Sequence, residues 1–188
     1  MNIMMHGMYT LFRGNIMLRI AQNMSELNFS ELMRVYSESN RCNGEELYPD
    51  DSKDIQLRKA EDDFYHYLDS VFFRQEDARY FILEENGKYV AALRLEPYKE
   101  GYLLCALETF PESRRKGYAT LLIKLLQDYL SKQRDGIIIS HVSKQNKSSL
   151  TVHHNCGFQI AKDYAVYLDG SVLHNTYTLE YKYKKTEI

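Results

Sequence analysis

Residues 107–119, Leu-Glu-Thr-Phe-Pro-Glu-Ser-Arg-Arg-Lys-Gly-Tyr-Ala, have the residue types needed to hold a phosphate. Three consecutive cations, Arg114, Arg115 and Lys116, precede Gly117, and the small Ala119 follows at the start of a helix-like pattern. The first amides of a helix have no internal partner and carry a partial positive charge, which makes such a terminus a site for anions. Cations at that end are unfavourable by roughly 0.3–1 kcal/mol each, and a bound polyanion reverses the sign. Gly117 lets the backbone approach such a ligand closely. Glu108 stands in the strand-like run 103–110, on the same alternation as Leu104 and Ala106, where a lone carboxylate is out of place. Such a group has a raised pKa, which suits a general base. An ion pair with Arg94 or an exposed strand end are the plainer alternatives.

These residues need a strand before them and a helix after them. The helix is predicted from Tyr118, Leu121, Leu122, Leu125, Leu126 and Tyr129, which recur at three- and four-residue spacing, and Gly136 suits its end. Residues 137–142 open with three isoleucines and read as a buried, roughly parallel strand. A short helix over 146–155 follows, and Gly157 permits a tight return. Strands over 158–168 and 171–183 then turn at Asp169-Gly170. Upstream, residues 78–110 read as a three-stranded antiparallel meander turning at Asn86-Gly87 and over 97–101. A strand over 18–21, a helix opening at Ser25, a loop over 41–53 and a second helix over 54–73 are expected before it. Residues 1–16 have no clear period and read as a leader or extension, with Met17 a candidate start; residues 17–188 read as one domain. Residues 182–188 read as a frayed, charged tail.

Entered from a strand through Pro111, the run Arg114-Arg115-Lys116-Gly117-Tyr118-Ala119 resembles the acyl-CoA signature of GNAT-superfamily N-acetyltransferases, Arg/Gln-x-x-Gly-x-Gly/Ala. Asn146, Ser149, Val152 and His153, then Cys156-Gly157-Phe158, resemble the family's Asn…Ala/Ser…Leu-Tyr…Gly-Phe pattern at its spacing. The resemblance runs from Phe81 to about Tyr183. It implies a mixed α/β fold whose central, mostly antiparallel sheet splays at the strands before and after the signature helix. Acetyl-CoA is the implied co-substrate, with its pantetheine in the gap. The backbone of Leu107 to Thr109 would pair with the pantetheine. The amides of Arg115, Lys116, Gly117, Tyr118, Ala119 and Thr120 would hold the pyrophosphate, Arg114 and Lys116 would add charge, and Asn146 would bond the pantetheine arm.

The implied reaction is N-acetylation of a primary amine by direct attack. Glu108 is the base candidate, and backbone amides would stabilise the oxyanion. His153 stands where many members have a Tyr acid, and its ordinary pKa of about 6.5 would allow it to donate a proton; packing or capping on the short helix is the alternative. Cys156 reads as packing, because direct attack needs no enzyme nucleophile. The missing Tyr leaves a second reading, a non-catalytic CoA-binding sensor or partner module. A nucleotide-binding protein ranks last, because the turn lacks the Gly-x-x-x-x-Gly-Lys-Ser/Thr spacing. In folds of this kind the two helices after the first strand wall the acceptor site. Tyr48, Tyr65, His66 and Tyr67 are therefore candidates to face the acceptor.

Composition excludes several classes of function. A net charge of −2 provides no basic field for nucleic acid, and no apolar run is long enough to suggest a membrane span. Cys42, Cys105 and Cys156 show no metal-like spacing, so no metal is expected, and a reduced, cytoplasmic setting is. The acceptor is left open between a small cationic amine, such as a polyamine or aminoglycoside, and a peptide N-terminus or lysine. The aromatic-rich C-terminal hairpin is an edge that could pair with a second copy as a homodimer.

Overall fold

The computed structural model describes residues 8–13, 15–99, 101–167 and 169–187. Two strands, β1 (Met8–Arg13) and β2 (Ile16–Ala21), lead to three helices, α1 (Phe29–Val35), α2 (Ser37–Leu47) and α3 (Lys53–Ser70). The meander follows as β3 (Arg79–Glu85), β4 (Lys88–Tyr98) and β5 (Gly101–Thr109). Then come α4 (Tyr118–Ser131), β6 (Gly136–Ser143), α5 (Lys147–Asn155), β7 (Gln159–Lys162), β8 (Ala165–Val166), β9 (Val172–Leu173) and β10 (Thr176–Tyr183).

Among the described residues, eight strands form one sheet in the order β1-β2-β3-β4-β5-β6-β10-β7. Every pairing in it is antiparallel except β5 with β6. The mixed α/β architecture expected from the sequence is therefore present. Asn86 and Gly87 close the β3–β4 hairpin with φ of 52° and 77°, the backbone that this tight turn requires.

Both faces of the sheet are covered, and β3 shows why its sequence is apolar throughout. Phe81 and Leu83 face a core completed by Leu122, Ile123 and Leu126 of α4. Tyr80 and Ile82 face the opposite core, with Leu32, Leu68 and Phe72 from the N-terminal helices. Leu126 is wholly buried. Leu126→Ala is expected to destabilise the fold by about 2–5 kcal/mol, through lost contacts and a residual cavity. A urea titration of variant and parent measures it.

Several boundaries differ from the sequence reading. Half of the loop expected over 41–53 is helical, because α2 runs to Leu47. Its residues are nearly all polar and give no apolar period. What holds it is α3, which lies so close that a Cβ on Gly44 would stand 2.6 Å from the Gln56 carbonyl oxygen. The helix expected from Ser25 starts at Phe29, where the Asn28 side chain accepts the Glu31 N–H at 3.2 Å. The strand expected over 158–168 is broken into β7 and β8, and the one over 171–183 into β9 and β10. β10 lies inside the sheet between β6 and β7, so the edge is β7. The tail is held as far as Thr186: Lys185 N–H donates to Asp135 at 2.6 Å and Thr186 N–H to the Ser131 carbonyl at 2.8 Å. Residues 8–13 of the expected leader pair with β2.

Candidate active site

The site is built where the one parallel pairing gives out. β5 and β6 match over Tyr102–Ile138, Leu103–Ile139 and Leu104–Ser140, and no further. Ser140 Oγ donates to the Leu104 carbonyl at 3.2 Å and pins the fork. Beyond it β5 carries a bulge. Arg94 pairs with Cys105 but Ala92 with Glu108, so two steps on β4 face three on β5. Ala106 takes up the extra residue with φ 49°, and Tyr36 Oη donates to its carbonyl at 2.6 Å. A bulge of this kind bends the strand and turns the next side chains to the other face. Leu107 to Thr109 therefore run on without a β6 partner, with their edge toward β6 open.

The bulge also corrects the face expected for Glu108. Leu104 packs in the core under α4, whereas Glu108 turns toward Tyr36 and Phe64. Among the described residues no ion pair joins it to its expected alternative partner, Arg94, whose ion-pair contact is a loose one of 3.6 Å to Glu96. Burial holds the Glu108 carboxyl above its ordinary range, and the nearby Glu38 charge adds to that; Ser39 and the Arg114 charge oppose it.

The anion turn follows. Arg115 and Gly117 both have left-handed backbone, φ 64° and 84°, a conformation that lets successive amides converge on one point. Gly117 is the N-cap of α4 and no side chain caps this terminus. The first helical bond runs from Leu121 N–H to the Gly117 carbonyl at 2.9 Å. The amides of Tyr118, Ala119 and Thr120 are thus left for a ligand. Tyr118 Oη, donating to Glu85 at 2.7 Å, anchors the turn to β3. Arg115 and Lys116 are exposed and have no ion pair among the described residues. Arg114 instead reaches α2, where its Nη2 meets Glu38 Oε2 at 2.6 Å.

Three adjoining cavities surround this edge. The largest, about 770 Å³, brings together Leu107, Glu108 and Thr109, the turn residues Arg114, Arg115, Gly117, Tyr118, Ala119 and Thr120, and Asn146. Lys116 is the one expected cofactor residue outside it. A slot of about 320 Å³ lies between β5 and β6 and shares Leu107, Asn146 and Ser149 with the first. A third, of about 490 Å³, is walled by α2, α3 and β4 and shares Glu108 with the first. These volumes are of ligand-pocket size. Open amides, exposed cations and a glycine at the turn fit the pyrophosphate of CoA, and a narrow slot with an open strand edge fits an extended arm.

Asn146 caps α5, its Oδ1 accepting from Ser149 N–H and Ser148 Oγ at 3.0 Å each, and it lines both the slot and the large cavity. His153 is buried, with Nδ1 2.8 Å from the Ser149 carbonyl and the ring edge-on to Phe158. That contact places the proton on Nδ1 and leaves Nε2 buried without a hydrogen-bond partner. Burial lowers the His153 pKa. Cys156 is buried, its Sγ directed at the Thr120 carbonyl at 3.7 Å. Cys105, on the slot wall, is pushed up to about 12 by burial, with Glu96 adding to it, and stays a thiol. Among the described residues no group of three His, Cys, Asp or Glu is placed to hold a metal, and no helix is long and apolar enough to cross a membrane.

Of the four aromatic acceptor candidates, Tyr67 lines the third cavity. Tyr48 donates to Asp63, and Tyr65 packs edge-on to Phe29 and His66. Sequence reasoning missed Tyr36, Asn40, Asn43 and Arg94 on the same walls. For Arg94 a signal was present: it is a lone charge in the apolar run Val90-Ala-Ala-Leu-Arg-Leu.

The family model "Acetyltransferase (GNAT) family" matches residues 32–158, more than half of the chain. This chain belongs to that family, and so to the N-acetyltransferase class of enzymes. No curated protein sequence matches it. The fold is similar to that of the ribosomal-protein-S18-alanine N-acetyltransferase of Escherichia coli, at 16% identity and a TM-score of 0.59, covering 91% of this chain and 97% of that one. It is similar to the spermidine N-acetyltransferase of Vibrio cholerae, solved with CoA and spermine, at 18% identity and a TM-score of 0.56, covering 92% and 98%. The PaiA N-acetyltransferase of Thermoplasma acidophilum, solved with coenzyme A, matches at 15% identity and a TM-score of 0.59, covering 88% and 99%.

Proposed function

We propose that the protein transfers an acetyl group from acetyl-CoA to a primary amine by direct attack, with Glu108 as the general base. The observation that carries this is the position of Glu108, in the walls of both the large cavity behind the anion turn and the cavity under α2 and α3. The amides of residues 115–120 hold the pyrophosphate, with Arg115 and Lys116 supplying charge. The open edge of Leu107 to Thr109 and the Asn146 amide hold the pantetheine. Acetyl-CoA supplies the activated acyl carbon when bound.

An ammonium has no lone pair, so its proton must leave before attack. Glu108, with its carboxyl pKa raised by burial, accepts that proton better than an exposed carboxylate would. Amides released by the bulge near Ala106 face the carbonyl oxygen as charge develops on it. His153 would protonate the leaving sulfur through Nε2, the nitrogen that Ser149 leaves open. Only the imidazolium, with a proton on Nε2 as well as Nδ1, can do so, and the lowered pKa keeps that form a minority near neutrality. His153→Gln is therefore expected to lower kcat by about tenfold, less than loss of the base; steady-state kinetics of the variant measures it.

Isothermal titration tests the cofactor directly. Micromolar binding of acetyl-CoA, with none of ATP, is the expected result. No binding of acetyl-CoA would reduce the turn to a structural loop. Binding without CoA release in the presence of any amine would point to a sensor or partner module in place of an enzyme.

A further inference from the structure

Arg94 is a charged side chain of the acceptor-side cavity that amine chemistry does not use. It projects from β4 into a wall formed with Tyr36, Asn40, Phe64, Tyr67 and Glu108. Its side chain is 17% exposed and its guanidinium lies 4.8 Å over the Tyr67 ring. The nearest carboxylate oxygen, Glu96 Oε1, stands 3.6 Å from Nε, beyond hydrogen-bond reach. Nε is buried without a hydrogen-bond partner. Among the described residues no hydrogen bond reaches either terminal nitrogen. Beside Arg94, the hydroxyl of the fully buried Tyr80 lies next to that of Tyr36.

Buried donors without partners are uncommon and call for an explanation. A planar fork with five N–H groups, packed among aromatic rings at a cavity wall, matches a carboxylate in two-point geometry. Glu96 offsets part of the charge on Arg94 but leaves its outer nitrogens open, and itself accepts from Tyr67 Oη at 3.3 Å. The other carboxylate of the cavity, Asp63, accepts from Tyr48. That leaves Glu108, whose carboxyl has Ser39 beside it, and one open guanidinium, Arg94, on the wall of one cavity of about 490 Å³. The pair is complementary to a molecule with an amine at one end and a carboxylate at the other. An acceptor carrying only positive charge would bring like charge to Arg94.

We propose that the acceptor is a small amino-acid-like zwitterion, its carboxylate held by Arg94 and its amine presented to Glu108. This rests on the acetyl-CoA reading given above. The test is CoA release from acetyl-CoA with the standard amino acids, each beside its carboxamide, and with spermidine and spermine as anion-free amines. The expected result is at least one amino acid with kcat/KM about tenfold or more above that of its carboxamide, as loss of a charge-assisted bond predicts. Arg94→Gln is expected to bring that ratio toward one, through KM more than kcat. If the variant does not fold, the ratio in the unmodified protein decides alone.

Equal or better turnover of carboxamides or polyamines overturns the proposal and leaves the acetyl-CoA reading standing. So does bound acetyl-CoA with no turnover of any amino acid. Failure of acetyl-CoA to bind at all removes the underlying reading and the proposal with it.

Discussion

Replacing Glu108 with glutamine is expected to lower kcat by roughly 10²- to 10⁴-fold, the usual worth of a positioned base, while acetyl-CoA still binds. The pH profile supplies the sharper signature. In the parent enzyme kcat/KM is expected to fall on the acid side as Glu108 takes up a proton. Because burial raises its pKa, that fall lies above the ordinary carboxylate value of about 4.3. The glutamine variant loses this limb. Stability moves the opposite way. A carboxyl whose folded pKa exceeds its unfolded value is penalised once the pH rises past the unfolded value. The variant should therefore unfold later than the parent at about pH 8, with the gain fading below about pH 4. A variant with full rate and an unchanged profile would remove Glu108 from the reaction.

The second large effect is expected at Gly117. Its left-handed backbone, φ 84°, begins α4 with no side chain over the open amides. Gly117→Asp places a carboxylate where the pyrophosphate would lie. Asp is among the residues that tolerate this backbone, and its side chain can cap the helix, so the fold should survive. Acetyl-CoA should not bind well to it. Two like charges about 4 Å apart repel by about 1 kcal/mol in bulk water and about 4 kcal/mol near a protein surface, so Kd should rise by roughly 10- to 1000-fold. Isothermal titration of the variant reads this directly, and a Kd close to that of the parent would place the pyrophosphate elsewhere.

How much of this was legible in the sequence follows from where the information is stored. The helix after the turn shows its period because one face of α4 meets the sheet. The hairpin at Asn86-Gly87 is legible because its backbone demands those residue types. The turn itself is visible because three cations at a helix start make little sense without an anion. α2 was invisible for the opposite reason: its fit to α3 depends on Gly44 and polar neighbours, which leave no apolar rhythm. The bulge at Ala106 was also unreadable, since no glycine marks it and the Tyr36 hydroxyl that meets it lies 70 positions earlier in the chain. That one extra residue reversed the face of Glu108. Arg94 was noticed only as a partner for Glu108, because its surroundings come from three separate elements.

The fork between β5 and β6 leaves a stretch of strand edge bare inside the molecule. Exposed edges are the usual starting points for aggregation, because any other extended chain can pair with them. Here the bare edge over Leu107 to Thr109 lies in a wedge with β6 on one side and α5 beyond it. Strands in a sheet stand about 4.8 Å apart, so a strand arriving with neighbours attached would collide with β6 before reaching this edge. Only a single slender chain can enter. The fork that leaves this edge open thus also shields it from the sheet of a second copy.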